Sequence, residues 1–133
     1  MACYLQLYVH CVWATWDRLP LIEPSWEQQL YAALLAKAEA LNCTPIAVGG
    51  VADHVHFLAG FPSTLTISRL LNELKGASSH LVTHRLQPGS WFKWQGSYSA
   101  FTVSYQAVEQ VKAYVQCQKY HHNQALLWPE FEL

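Results

Sequence analysis

Apolar and polar residues change their spacing along this chain in a way that divides it into seven elements. In residues 4–15, Leu5, Leu7, Val9, Cys11 and Trp13 share one parity, the signature of a strand with one face buried. The stretch Leu19-Pro20-Leu21-Ile22-Glu23-Pro24 breaks that pattern. A helical stripe of Leu30, Leu34, Ala38 and Leu41 follows, with Ser25 and Gln28 spaced as a capping box and Asn42 as a stop. Residues 44–51 and 54–61 read as two further strands, with Gly49-Gly50 through Asp53 as a turn or bulge between them. Pro62-Ser63 interrupts the chain again.

A second helix is predicted over residues 66–85, with Ile67, Leu70, Leu71, Leu74 and Leu81 apolar. Gly76 inside it costs about 1 kcal/mol relative to Ala, which points to a packing or ligand-approach reason. Residues 91–94 read as a short strand or turn, 97–104 as a strand, and 105–123 as a last helix before an acidic tail over 123–133. The order β-α-β-β-α-β-α predicts an α+β, ferredoxin-like (RRM-like) fold, an antiparallel sheet with helices packed on it, in a single domain over 1–133.

Composition narrows the class. The chain has 133 residues, 52% of them apolar, enough for a real core and too many for disorder. No run reaches the ~18 apolar residues of a membrane span, and Met1-Ala2-Cys3-Tyr4 lacks the features of a signal peptide. Cys3, Cys11, Cys43 and Cys117 have no C-x-x-C spacing, so reduced, mostly buried thiols in a cytoplasmic protein are expected rather than a zinc site. The formal net charge is −1, yet residues 60–122 carry Arg69, Lys75, Arg85, Lys93, Lys112 and Lys119 against only Glu73 and Glu109. That asymmetry permits a phosphate-binding face on a near-neutral protein.

Two patterns carry candidate chemistry. Along a strand, side chains alternate, so His54 and His56 point to one face, about 7 Å apart by strand rise, and can share one ion. In the last helix Ala107, Val111, Tyr114 and Gln118 form one stripe, so Tyr114 and Gln118 project from the same side. Gln110 lies four before Tyr114, and spacing leaves either amide open; His121 falls within reach, whereas Tyr120 lies about 200° round the helix from Gln118. Each pattern also has an ordinary structural reading, as partly buried polar residues on a strand and an amphipathic tyrosine at a core boundary. Brought together, two imidazoles and an amide oxygen suit Mg²⁺ or Mn²⁺ holding phosphate oxygens. With such an ion, Tyr114 would act as a nucleophile on phosphorus and conserve the bond energy as a phosphotyrosine.

Five stretches in order resemble the single-tyrosine, His-hydrophobic-His transposases of the IS200/IS605 type and their repeat-associated relatives. They are Tyr8-Val9-His10-Cys11-Val12-Trp13-Ala14-Thr15 with Arg18-Leu19-Pro20-Leu21; Asp53-His54-Val55-His56-Phe57-Leu58; Leu74-Lys75-Gly76-Ala77-Ser78-Ser79; residues 94–104; and Tyr114-Val115-Gln116-Cys117-Gln118 with His121-His122. The resemblance implies Tyr114 as nucleophile and His54, His56 and Gln118 as metal ligands, favouring Gln118 over Gln110. It implies nicking and rejoining of single-stranded DNA through a 5′-phosphotyrosine, hairpin recognition at element ends, and a homodimer with composite active sites. Arg18, Arg69, Lys75, Ser78 and Ser79 are the expected DNA contacts. Trp16-Asp17 and the low Lys and Arg count depart from the family pattern. The alternatives are a non-catalytic DNA or RNA hairpin-binding module, with Trp13, Tyr98 and Phe101 as stacking aromatics, and a small metalloenzyme acting on another substrate.

Overall fold

The computed structural model describes residues 3–119. The elements are β1 (Tyr8–Ala14), α1 (Glu27–Ala40), β2 (Thr44–Val51), β3 (His54–Gly60), α2 (Ile67–Leu81), β4 (Ser99–Val103) and α3 (Val108–Gln116). The four strands form one antiparallel sheet in the order β2-β3-β1-β4, with the two strands that carry histidines at its centre. This is the predicted α+β arrangement.

The two faces of the sheet are covered differently. On one, Val9, Cys11, Trp13, Val55, Phe57 and Ala59 meet Leu30 and Leu34 of α1 and Leu70, Leu71 and Leu74 of α2 in the main core. On the other, α3 packs Val111 and Val115 against Ala47, Leu58 and Val103, a much smaller cluster. Alternation along β1 and β3 dictates this division: residues of one parity fill the main core, and those of the other turn towards α3. Among the described residues no helix is long and apolar enough to cross a membrane.

Several local expectations need correction. The strand predicted over 4–15 begins only at Tyr8, and Leu5 and Leu7 stay exposed. Pairing of β1 with β3 ends at Tyr8↔Gly60, and Pro62, shortly beyond, has no N–H to extend the ladder. Ser25 does not cap α1; Trp26 holds the cap position without a side-chain bond, fixed by its burial beside Phe92. Gly49 and Gly50 are not in the turn, since β2 runs on to Val51 and Ala52-Asp53 alone connect it to β3. The ladder irregularity falls instead between Pro45 and Ala47.

Gly76 has no packing reason, because a Cβ there would meet nothing within 4 Å. The second helix follows its prediction: Thr66 Oγ1 accepts from the Arg69 amide at 3.1 Å, and a π turn over Val82–Leu86 finishes it. Asn42, at φ 67°, takes the left-handed conformation that stops α1. Residues 91–94 contribute a single bridge, Trp94 to Thr15. The last helix opens with a 3₁₀ turn, Tyr105–Ala107. α3 ends at Gln116, so the helix predicted over 105–123 is broken short of Gln118; Tyr120, His121, His122 and the acidic tail lie outside the described residues. Cys11 and Cys43 are buried, but Cys3 and Cys117 are exposed, so half of the thiols depart from the expected burial.

Candidate active site

His54 and His56 lie on the α3 side of β3 because Val55, Phe57 and Ala59 occupy the main core. Both are fully buried, and their ring centroids are 5.2 Å apart. Buried imidazoles need partners. His56 Nδ1 lies 2.9 Å from Nε2 of His10, whose ring stacks on that of His56 with 5.1 Å between centroids. His10 comes from β1, where it stands opposite Leu58 and so diagonal to His56, within reach for a long side chain. His54 Nδ1 lies 2.7 Å from Asp53 Oδ1.

The Asp53 turn is clamped by the loop after β1. The Thr15 amide donates to the Asp53 carbonyl at 2.9 Å, its hydroxyl is shared between the carbonyls of Leu19 at 2.6 Å and Asp53 at 3.1 Å, and the Ile22 amide donates to the Ala52 carbonyl at 2.9 Å. Arg18, held at φ 55°, approaches Asp53 Oδ2 with its Nε at 3.4 Å. Partial burial would raise the Asp53 carboxyl's pKa, but the hydrogen bond with His54 and the guanidinium of Arg18 outweigh it, and the net shift is downward.

The tyrosine helix reaches this face through a glycine gap. A Cβ on Gly49 would collide with the carbonyl of Val115, and one on Gly50 with the carbonyl of His54. The bare strand lets α3 settle close to β2 and carries Tyr114, 1% exposed, edge-on to His56 with ring centroids 5.8 Å apart. Gln118, one turn on, is buried; its Nε2 donates to the Tyr114 carbonyl at 3.0 Å, and its Oε1 has no hydrogen-bond partner among the described residues. Just past α3, Lys119 Nζ donates to Glu27 Oε2 at 2.7 Å and to the Gly50 carbonyl at 3.2 Å, and Tyr31 donates to the same carboxylate at 3.1 Å. Burial first, then the Glu27 carboxylate, pushes the Tyr31 phenol far above its ordinary pKa and keeps it a donor. These groups rim a cavity of about 520 Å³ that also meets Gln118.

The structure thus brings Tyr114 to His56 within one chain and sets Gln118 one turn further along. Gln110 is exposed and stays outside the buried set. The expected nucleic-acid contacts divide. Arg69 is exposed. Lys75 instead donates to the carbonyls of Gln95 and Ser97, at 2.8 and 2.9 Å, and burial lowers its pKa. Ser78 is buried between the Leu74 carbonyl and Trp94 Nε1, a scaffold position out of reach of a ligand. Ser79 is half-buried with its hydroxyl on the Gly76 carbonyl, and Arg18 faces Asp53. Trp13 is wholly inside the main core and cannot stack a base; Phe101 is half-buried near His10, and Tyr98 is exposed.

Spacing alone did not single out His10, Glu27 or Lys119. His10 shares parity with neighbours that face the histidine side of the sheet, but its meeting with His56 depends on the β1–β3 register.

Among the described residues no three His, Cys, Asp or Glu side chains gather as a metal-binding set. A divalent ion here would therefore need an amide or substrate oxygen beside the two imidazoles. The buried Gln118 Oε1, in the turn after Tyr114, is an oxygen of that kind, so the donor types present suit Mg²⁺ or Mn²⁺.

The model of the family "Transposase IS200 like" matches residues 3–118, and the chain belongs to that transposase family. Among solved structures it is similar to a candidate transposase from Deinococcus radiodurans R1, at 26% identity and a TM-score of 0.68, over 86% of this chain and 93% of that one. It also shares the fold of a REP-associated tyrosine transposase bound to a REP hairpin, at 16% identity and a TM-score of 0.66, over 92% of this chain and 74% of that one. No curated protein matches.

Proposed function

We propose that this transposase nicks and rejoins single-stranded DNA, with Tyr114 as the nucleophile and a metal site formed by His54, His56 and Gln118. The observation that carries the reading is the edge-on approach of Tyr114 to His56 across the glycine gap. The phenol oxygen bonds to the scissile phosphorus and gives up its proton, while the 3′-oxygen of the upstream strand leaves as a hydroxyl. The 5′-phosphate then remains on Tyr114, and attack by a second strand's 3′-hydroxyl reverses the step without an external energy source. A bound Mg²⁺ or Mn²⁺ supplies polarisation of the phosphoryl oxygens and neutralises developing charge. Because Tyr114 is buried, the phenol must first be uncovered for a strand to reach it.

A hairpin-shaped DNA is the proposed partner. The relative solved with a REP hairpin shares this fold. The open groove of about 320 Å³ between α2 and the loop at residues 92–96, bordered by Gly76, Ser79 and Lys93, supports a backbone-binding role for that face. Incubation with labelled hairpin DNA and Mn²⁺ should give an SDS-resistant adduct, which Tyr114→Phe abolishes. An adduct that persists in that variant would refute the assignment. The burial of Tyr114 favours one second reading, a non-catalytic hairpin binder. It predicts salt-sensitive binding that ignores chelators and leaves no adduct.

The family resemblance implies a homodimer with composite sites, whereas the docking of α3 on its own sheet supports a site completed within one chain. Mixing Tyr114→Phe with His56→Ala protein separates these. A shared site regains adduct formation in the mixture, and a site within one chain does not.

A further inference from the structure

We propose that Asp53 and His10 are positioning residues that hold the proton of each motif imidazole on Nδ1, so that His54 and His56 present both Nε2 atoms to one ion. This rests on the reading of His54 and His56 as metal ligands. Strand geometry sets only where each imidazole starts, and either ring nitrogen can bind a metal. The chain makes the choice through what stands behind each ring.

For His54 the choice is direct. A carboxylate only accepts, and Asp53 Oδ1 lies 2.7 Å from Nδ1, so Nδ1 carries the hydrogen and, in the neutral ring, the lone pair falls on Nε2. Asp53 is itself held from behind by Arg18, and its turn by Thr15 and Ile22, so the acceptor cannot drift.

For His56 the partner is another imidazole, and two arrangements satisfy the 2.9 Å bond. If His10 donates, His56 carries its hydrogen on Nε2 and cannot ligate through that atom. If His56 donates from Nδ1, its lone pair lies on Nε2, and His10 accepts through Nε2 with its own hydrogen on Nδ1. Ligation through Nε2 therefore requires His10 to be neutral and an acceptor. The β2–β3 turn and β1 thus supply different acceptors for the same end, a carboxylate behind one ring and an imidazole behind the other.

The test is two-bond ¹H–¹⁵N imidazole correlation spectroscopy on the metal-free protein, followed by calorimetric titration with Mn²⁺. His54 and His56 are expected as Nδ1–H tautomers. Asp53→Ala should move His54, and His10→Leu should move His56, towards Nε2–H. Each should weaken Mn²⁺ binding about 10- to 100-fold. His10→Gln, whose amide oxygen can accept in the same place, should keep the tautomer and most of the affinity. A wild-type spectrum with hydrogen on Nε2 of either motif histidine, or unchanged tautomers in both Asp53→Ala and His10→Leu, would overturn the proposal. Equal Mn²⁺ affinity in wild type and His54→Ala would instead refute the metal reading, and the metal-free spectra would still decide the role of Asp53 and His10.

Discussion

The two faces of the sheet are built from the same strands to opposite specifications. The face under α1 and α2 is closed by interlocking aliphatic and aromatic side chains. Among the described residues, the cluster on the face under α3 has five buried apolar residues, and beside them that face buries His10, His54, His56 and Gln118. One face supplies stability, while the other holds polar groups that contribute little net stability unless each is paired. The contrast explains how a small domain can bury reactive groups: the apolar side tolerates the polar one.

The largest stability loss is expected on the apolar face. Leu74→Ala, at a fully buried position, should cost about 2–5 kcal/mol in urea unfolding. Gly49→Ala comes next. Its methyl would strike the Val115 carbonyl, and overpacking of this kind costs about 1–3 kcal/mol. Hydrogen exchange should then speed up in α3 while α1 and α2 stay protected, and adduct formation should fall with the loss of the Tyr114–His56 approach. Equal deprotection of all three helices would show that the two faces are not separable.

Smaller effects sharpen the comparison. Lys75→Met removes two bonds to the Gln95 and Ser97 carbonyls and should cost about 1 kcal/mol, with the loop at residues 95–98 loosened. The paired change His10→Leu with His56→Leu should shift stability by less than about 1 kcal/mol in either direction, because both partners of a buried polar pair go together. The same variant should lose adduct formation entirely. A large destabilisation would mean that the polar face is also structural.

The last effect is confined to alkaline pH. Burial, helped by Cys43, pushes the Cys11 thiol up to about 12. A raised folded-state value contributes stability that is complete below the unfolded thiol's range, near about 8.5, and is lost as pH rises towards the folded value. Wild-type stability should therefore decline over that alkaline window, with a shallower slope in Cys11→Ala. Alkylation below it should modify Cys3 and Cys117 and spare Cys11 and Cys43.

Local periodicity made much of this molecule legible. Parity along β3 put His54 and His56 on one side, and helical phase put Val111 and Tyr114 on one stripe, since each depends only on backbone repeat; α3 ends at Gln116, short of Gln118. Where the sequence misled, a neighbour distant in the chain had intervened. Leu5 and Leu7 continue the strand parity, but the sheet ends beside them at Gly60. Trp13 belongs to the buried parity of the first strand, and α1 and α2 close over it, which removes it as a base-stacking aromatic. Ser78 reads as a ligand contact, but the loop carrying Trp94 folds back onto it and buries it.

By itself, then, the sequence determined the seven elements, the sheet face of the histidines and the helix stripe of the tyrosine. Tertiary structure alone decided that Gly49 admits α3 to the sheet, that Lys119 reaches Glu27, and that His10 stands behind His56. The reason is physical. Faces follow from a repeat of two or 3.6 residues, whereas partners follow from strand register and helix docking, which join residues as far apart as His10 and His56 and leave no period to read.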